Sequence, residues 1–538
     1  MENGRLNKNH APAVYVYLIA LVTVGLPLSR FVMSISQILL LVYWLFTGFS
    51  YQNFFKGFKK NIITKIKAFY NNKPAVVFAS IYFMHLAGLI YTTDFHYAAK
   101  DLRVKLPILI FPLVFASMPK LSFKQFKKIL LIFVAAVTAG ITLSFIKYLN
   151  ENYIDVRELS PFLSPIRFSL NILLGIVVLS YFILYDKTVS LSGKILSAIL
   201  ILIFLFFLII IESITAVGTL LVIITTFLLF NLLRIKYLWL KITMVFIIIA
   251  LPVALGIHIY NIVNKATTPP NINISKLDTL TANGNHYEHD MNYGLEDGKL
   301  VGIYLCKKEL RKAWNKRSKL DYDGKALSGD NIDNIIIRYM TSKGLRKDSA
   351  GISALSDWDI RKIEEGVANI NYVSHPGLKS RILKIILGYQ RYIKTGDPSG
   401  NSVTQRYEYL KGSFLLIKEH PLWGVGTGDF ENELFKEYKK MKSKLKKKYI
   451  FHPHNQFVSI TITFGLLGLL WFIFSLIYPP LKLGFFNDYF FLAFFIMIIL
   501  SMFSDDTMDT QAGATLFAFF YSFLLFTRKE KKSLYISL

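Results

Sequence analysis

Cysteine and charged residues are both scarce in this chain. Cys306 is the only cysteine among 538 residues, so the chain can form neither an internal disulfide bond nor a cysteine-based metal cluster. Only 18% of the residues are charged, whereas 53% are hydrophobic, and the mean hydropathy is +0.42. These values exclude an ordinary soluble domain and, over most of the length, a disordered chain.

Several motifs are lacking as well. The chain contains no P-loop and no repeat of 20 to 50 residues. Gly424-Val425-Gly426-Thr427-Gly428 differs from G-x-G-x-x-G and follows a helical pattern, and His286-Tyr287-Glu288-His289-Asp290 does not have zincin spacing. The sequence therefore predicts no dinucleotide site and no metal site.

The apolar residues are gathered into segments of roughly 16 to 22 residues, about the length that crosses a hydrocarbon core of about 30 Å as a helix. We expect an all-α polytopic membrane protein with about twelve transmembrane helices, of which the first is an uncleaved anchor. The twelve predicted spans lie near 11–29, 31–50, 74–91, 105–118, 129–147, 168–185, 195–212, 215–232, 242–260, 457–478, 488–503 and 512–527.

The positive charges predict the orientation of these spans. Outside residues 261–456 the chain has 29 Lys and Arg, and 22 of them lie on one side of the predicted membrane against 7 on the other. Because cytoplasmic loops carry the excess of Lys and Arg, both termini are predicted to be cytoplasmic. The net charge of +27 is thus explained by the orientation of the chain in the membrane, and no nucleic-acid partner is predicted.

The same orientation places residues 261–456 outside the cytoplasm, as a loop domain between spans nine and ten. The expected organisation is a membrane domain over 1–260, this loop domain, and a second membrane segment over 457–538. The loop domain has 33 basic and 22 acidic residues. This balance fits either a surface that meets anionic lipid, phosphate or glycan, or a solvated face. We expect it to be mainly helical, with helices near 301–318, 331–343, 357–370, 378–395, 402–419 and 428–448.

The most informative residues lie around the end of this loop. Phe451-His452-Pro453-His454-Asn455 stands where the chain re-enters the membrane, and nine residues separate Asn455 from Gly465-Leu466-Leu467-Gly468. Upstream, Arg406 precedes a helical stretch that ends in His420-Pro421-Leu422, which is followed by the Gly-x-Gly-x-Gly turn. In this order before a span, these features resemble the O-antigen ligase and polymerase family, most strongly over about 400–470.

The resemblance implies a metal-independent, inverting glycosyltransferase of the cytoplasmic (inner) membrane. Such an enzyme takes a glycan from an undecaprenyl-diphosphate carrier and joins it to an acceptor hydroxyl, as on lipid A core, on the extracytoplasmic face. Its partners are the lipid-linked glycan, a glycolipid or glycan acceptor and the bilayer, without a cofactor. A base must take the acceptor proton, and cations must hold the diphosphate.

The family pattern assigns two catalytic residues here. His454 matches the motif histidine and is the candidate base, because an imidazole titrates near neutral pH. Arg406 matches the loop arginine thought to hold the diphosphate. Asn455 either orients His454, contacts sugar, or caps the helix that follows it.

One family feature is missing. A second arginine usually follows a Ser or Thr at the outer junction of two spans, but here the chain reads Glu212-Ser213-Ile214. Arg167, at the start of span six, is the predicted substitute, or else an interface anchor.

Other charged residues at the predicted outer face are candidates for substrate binding. Arg103, among Lys100, Asp101 and Lys105, is expected to help bind the diphosphate. The carboxylates of Asp505, Asp506 and Asp509 either orient His454, bind an acceptor hydroxyl or pair with loop lysines.

Three alternatives stay open. A ligase and a polymerase differ only in the acceptor, and the stretch from His454 to Gly468 favours the ligase; transfer to protein side chains is a related possibility. A transporter or flippase would carry ionisable groups at mid-membrane, but only His85 lies there, whereas Glu212 and Arg167 lie at span ends.

Overall fold

The computed structural model describes residues 11–48, 54–150, 159–160, 162–232, 235–373, 377–446, 449 and 452–528. Phe451, of the predicted histidine motif, lies outside these ranges. The described chain is mostly helical, with one two-stranded antiparallel sheet. Its first eleven helices are α1 (Ala13–Leu28), α2 (Arg30–Phe46), α3 (Phe54–Asn71), α4 (Lys73–Ala87), α5 (Phe95–Lys105), α6 (Pro107–Ser117), α7 (Phe123–Asn150), α8 (Pro165–Leu184), α9 (Leu191–Ile210), α10 (Ile214–Leu232) and α11 (Leu238–Thr267).

The loop region and the C-terminal segment contain the remaining elements. They are β1 (Glu288–Glu296), β2 (Lys299–Leu305), α12 (Lys307–Arg317), α13 (Ile332–Lys343), α14 (Ser349–Ser353), α15 (Asp357–Glu365), α16 (Leu378–Thr395), α17 (Ser402–Glu419), α18 (Phe430–Lys440), α19 (Gln456–Leu483), α20 (Tyr489–Ser504) and α21 (Gln511–Phe526).

Each of the twelve predicted spans contains one of these helices. Within the described residues, six helices are long and apolar enough to cross a membrane: Lys73–Tyr91, Phe123–Leu149, Pro165–Leu184, Leu191–Ile210, Leu238–Thr267 and Gln456–Leu483. Five further apolar helices are shorter. The chain is therefore a helical membrane protein, and the number of twelve crossings stays a prediction.

The core of the membrane domain forms around α21. Every residue from Ala512 to Phe526 is buried, because α21 is apolar on all sides and is packed against α6, α8 and α20. Ring contacts fill the space between α21 and its neighbours, such as Phe111–Phe519 with α6 and Phe126–Phe523 with α7. In contrast, the apolar window of α11 is not buried at all, as expected of a helix that faces lipid.

The predicted helix over 301–318 is wrong in its first part. Residues 299–305 form β2, which pairs with β1, and a helix begins only at Lys307. The hairpin turns at Asp297-Gly298, where both residues have positive φ values, 53° and 77°. A two-residue Asp-Gly loop is a strong hairpin signal, and it was outweighed by the helical pattern that follows.

The predicted helix over 428–448 is wrong in its last part. Helix α18 ends at Lys440, and Lys442 takes a positive φ of 51° while Ser443 N donates to Tyr438 O. This left-handed residue with a bond back across the last turn is a common helix ending. The basic residues that follow, up to Lys446, therefore lie in non-helical chain, and 447–448 are outside the described residues.

Candidate functional site

The predicted site residues meet where the loop region joins the membrane domain. The chain enters α19 immediately after His454 and Asn455, and it faces the connection between α20 and α21, residues 505–510. Helix α8 contributes Arg167 to the same place. The site is thus built from segments that are far apart in sequence.

His454 is held in a fixed orientation by two neighbouring carboxylates. Its Nδ1 lies 2.9 Å from Asp505 Oδ1, and its backbone N–H donates to Asp506 Oδ2 at 2.7 Å. The backbone of His454 has a φ of 54°, a conformation that is uncommon outside glycine and marks a constrained position. With Asp505 accepting from Nδ1–H, the Nε2 lone pair is available to a substrate, and no described residue bonds to it.

Asp505 is in turn bonded to Arg167. The distance from Arg167 Nη2 to Asp505 Oδ2 is 3.0 Å, and Arg167 also donates to Thr510 Oγ1 and Asp506 O. Burial alone would raise the pKa of Asp505, but the Arg167 charge and the His454 hydrogen bond hold it below its usual range. Asp505 is therefore an ionised partner for His454.

The structure places Arg167 behind Asp505. Arg167 is only 3% exposed, and its Nη1 atom has no hydrogen-bond partner among the described residues. Its guanidinium is thus engaged with Asp505, Asp506 and Thr510, in contrast to the free cation expected at a diphosphate.

Asn455 has a structural task in this arrangement. Its side-chain oxygen accepts from the backbone N–H groups of Phe457 and Val458, and its amide nitrogen donates to Phe503 O. Asn455 is thus the N-cap of α19, and both ends of its side chain are occupied. This is the capping alternative rather than the predicted sugar contact.

A second histidine, His452, lies in a neighbouring acidic cluster. Its Nδ1 is 3.2 Å from Asp509 Oδ2, and its Nε2 is 3.1 Å from Glu431 Oε1. Burial lowers the pKa of His452, but the hydrogen bonds to the two carboxylates outweigh burial and raise it to about 10. His452 is therefore an imidazolium at neutral pH, a role that the sequence reasoning missed.

The acidic cluster continues into the membrane domain through α5. Lys105 lies 3.0 Å from Asp509 and is also bonded to Asp101, whose carboxylate accepts from His85 Nδ1 at 3.0 Å. Asp101 and Lys105 are one helical turn apart and share the inner face of α5. Arg103 lies on the opposite, exposed face, so the structure does not bring it to His454.

Arg406 approaches the site from α17. It lies one turn before Tyr409, whose ring centroid is 5.8 Å from that of His454. Burial raises the pKa of Tyr409, and the charge of Arg406 opposes this rise. Arg406 is half-buried and has no ion pair with any residue that the structure describes, so its charge is available to a ligand.

At the junction where the family's second arginine is expected, a lysine approaches from the loop region. Lys384 Nζ of α16 lies 3.6 Å from Glu212 Oε2, and Glu212 also accepts from Gly377 N at 3.1 Å. The stretch Glu212-Ser213-Ile214 thus contacts the loop region through Glu212. The side chain of Ile214 is outside the described residues.

The glycines of the motif fasten the loop region to α19. Val425 N and Gly426 N donate to Ile462 O and Thr463 O, both at 2.9 Å. At Gly465 helix α19 is interrupted, with φ 66° and ψ −169°, and a Cβ there would lie 2.1 Å from the carbonyl of Leu422. Only glycine fits such close backbone contacts, which gives the spacing between Asn455 and Gly465 a structural reason.

Two groups of side chains bring candidate metal ligands close together. In each group the ligand atoms lie within 4.8 Å of one another: His452, Asp506 and Asp509, and His454, Asp505 and Asp506. Both histidines already share a hydrogen between Nδ1 and a carboxylate. A metal ion that bound through Nδ1 would have to displace that hydrogen, so the hydrogen bonds to the carboxylates compete with metal binding at these atoms.

Comparison with known proteins finds a family similarity over the region that contains Arg406 and His454. Residues 366–473 match a family model described as O-Antigen ligase, which spans α16 to the first part of α19. No curated protein matches the chain. The matched residues make up about a fifth of the chain, and over this region they confirm the resemblance inferred from the sequence.

Proposed function

We propose that the protein is a glycosyltransferase that moves a glycan from undecaprenyl diphosphate to an acceptor hydroxyl, with lipid A core or a similar glycolipid as acceptor. The observation that carries this proposal is the Asp505–His454 pair, next to the unpaired Arg406 on α17. The family match covers both His454 and Arg406.

His454 acts as the general base in this mechanism. Asp505 accepts from Nδ1–H and fixes the imidazole, so that Nε2 takes the proton of the acceptor hydroxyl. The acceptor oxygen forms a bond to the anomeric carbon while the bond from that carbon to the diphosphate oxygen breaks. The electron pair leaves with the diphosphate, and the anomeric configuration inverts.

Cations from the protein neutralise the leaving group. Arg406 can bind phosphate oxygens with two parallel N–H donors, which is the geometry that suits a diphosphate. Arg167 acts at one remove, because it keeps Asp505 ionised and in place. We propose that these fixed charges take the role that a divalent metal has in other glycosyltransferases.

We propose that the reaction occurs on the extracytoplasmic side of the inner membrane. The excess of Lys and Arg predicts that the loop region and the connection between α20 and α21 face that side and that both termini are cytoplasmic. The lipid carrier reaches the site from the bilayer.

The proposal is tested by surface-glycan display in a strain that lacks this protein. Complementation with wild type is expected to restore long glycan chains on the lipid acceptor, whereas His454→Ala and Arg406→Ala at equal expression leave the glycan on its carrier. Lipid-attached single repeat units in the deletion strain would indicate a polymerase instead. Unchanged glycan in the deletion strain would contradict both.

A further inference from the structure

A groove runs along the loop region beside α17. It has a volume of about 1040 Å³ and lies between α16, strand β1 and the beginning of α17. A second cavity of about 600 Å³ shares Arg338, Tyr372, Lys384 and Arg391 with it, so the two form one extended depression. This is larger than a typical pocket for one small molecule, and its length suits a chain-like ligand.

The groove is strongly basic. Five cationic side chains line the larger cavity against the single carboxylate of Glu296: Arg338, Arg381, Lys384, Arg391 and Lys394. Two of these cations are paired, because Glu296 lies 2.8 Å from Arg338 and Glu212 lies 3.6 Å from Lys384. Arg391 and Lys394 are exposed and form no ion pair with a described residue, although Asp397 lies within electrostatic reach of Arg391.

Aromatic and amide side chains also line the groove beside these charges. Tyr293, Tyr372, Tyr389 and Tyr449 line the groove, and Tyr389 is 55% exposed. Gln405 Nε2 is buried in the lining without a hydrogen-bond partner among the described residues. Flat tyrosine faces suit the C–H faces of sugar rings, and the amide donor suits a hydroxyl or carboxylate.

The groove leads to the reaction site along α17. Gln405 and Tyr409 are four residues apart and so lie on one face of the helix. Tyr409 is next to His454, and its hydroxyl donates to the carbonyl of Tyr449, which lines the groove. The groove therefore lies one helical turn of α17 away from the tyrosine ring that contacts His454.

We propose that this groove binds an acidic polysaccharide, namely the part of the transferred glycan adjacent to its reacting end. Carboxylates on the sugars pair with Arg391 and Lys394, and sugar faces stack on Tyr389. The proposal rests on the proposed function for the identity of the ligand. The groove proposal adds that the glycan is anionic and that basic side chains of the loop region bind its charged groups.

Binding to the purified full-length protein in nanodiscs tests this directly, with an oligogalacturonate as the acidic probe and a malto-oligosaccharide of equal length as the neutral one. The test variant is Arg391→Ala with Lys394→Ala. The matched control is Lys312→Ala with Lys316→Ala, which removes two exposed charges of α12 outside the groove. Tyr389→Ala and Tyr389→Trp examine the stacking surface.

The acidic probe is expected to bind more tightly than the neutral one and to lose about tenfold or more in affinity in the Arg391/Lys394 variant. The control and Tyr389→Trp are expected to keep the affinity, and Tyr389→Ala to reduce it. Equal losses in the control variant, or equal binding of both probes, would overturn the proposal. Loss of binding to phosphatidylserine vesicles with unchanged oligogalacturonate binding would assign the groove to lipid headgroups instead.

The outcome is separable from that of the proposed function. His454→Ala is expected to bind oligogalacturonate like wild type, because His454 does not line the groove. If glycan display is independent of His454 while the Arg391/Lys394 effect is present, the catalytic proposal fails and the groove stands. If glycan display depends on His454 while the groove variants bind oligogalacturonate like wild type, only the groove proposal fails.

Discussion

At the residue scale, the central feature is a chain of three groups, His454, Asp505 and Arg167. Each is bonded to the next at 2.9 Å and 3.0 Å, so the imidazole has one orientation and its carboxylate partner stays ionised. An asparagine at 505 would have one acceptor oxygen in place of two, so it could not accept from both His454 and Arg167. The buried charge of Arg167 would then be left unpaired. The chemistry therefore depends on Asp505 as well as on His454.

We predict that Asp505→Asn lowers the rate of glycan transfer per folded protein by about 100-fold or more, the scale of a misplaced general base. The initial transfer rate in reconstituted membranes measures this. Asp488→Asn is the matched control, since Asp488 caps the other end of α20 and also pairs with an arginine, Arg528, at 2.6 Å. A comparable loss of rate in the control would show that Asp505 acts only through stability.

His452 leads to a pH-dependent prediction. Its pKa is raised from the ordinary 6.5 to about 10, so its stabilising contribution is fully present below pH 6.5 and is lost as the pH rises through about 10. The difference in melting temperature between wild type and His452→Gln should therefore narrow steadily from pH 6.5 to 10. A constant difference over this range would contradict a protonated His452.

At the element scale, the junction between the loop region and α19 depends on backbone contact. The turn before α18 donates to carbonyls of α19 near its interruption at Gly465, and Asp429 accepts from Thr93 and Asp94 at the start of α5. These bonds hold the loop region against the membrane domain, and with it α17, whose Tyr409 contacts His454.

We predict that Gly465→Ala destabilises the protein by about 2 kcal/mol or more, because its φ and ψ lie in a region used almost only by glycine and the new Cβ meets Leu422. Gly218→Ala in α10 is the control. Nothing lies within 4 Å of a Cβ there, so that change should be neutral or slightly stabilising. Thermal unfolding in detergent compares the two, and equal effects would contradict this account of the junction.

The sequence predicts the elements better than their meeting points. The twelve apolar segments each contain a helix, because long apolar runs need no tertiary partner to be recognised. The contact of His454 with Asp505 was one of three possibilities that the sequence left open for the carboxylates at 505, 506 and 509. The two elements are about fifty residues apart, and no pattern in a single sequence selects that contact over the other two. Arg103 was predicted from charge alone, and helical geometry turns it away from Asp101 and Lys105.

At the scale of the whole molecule, the proposed topology places the reaction on the extracytoplasmic side of the membrane. Cys306 is 4% exposed and is the only cysteine, which makes single-cysteine labelling practical. The exposed Lys312 reports on the loop region, and the exposed Lys60 reports on the predicted cytoplasmic side.

We predict that Lys312→Cys, in a Cys306→Ser background, reacts with a membrane-impermeant maleimide in intact cells. Lys60→Cys should react only after lysis. The reverse pattern would invert the proposed topology and place the loop region in the cytoplasm.

The role of His454 as the base is tested most directly by glycan transfer with the purified protein in liposomes. The assay contains labelled undecaprenyl-diphosphate-linked glycan, an acceptor glycolipid and a metal chelator. We predict that wild type transfers the glycan in the presence of chelator and that His454→Ala lowers the transfer rate by about 100-fold or more. Transfer that is unchanged in His454→Ala would contradict the assignment of His454 as the base. Transfer that disappears with chelator and returns with a divalent metal would contradict neutralisation of the diphosphate by the protein's own cations.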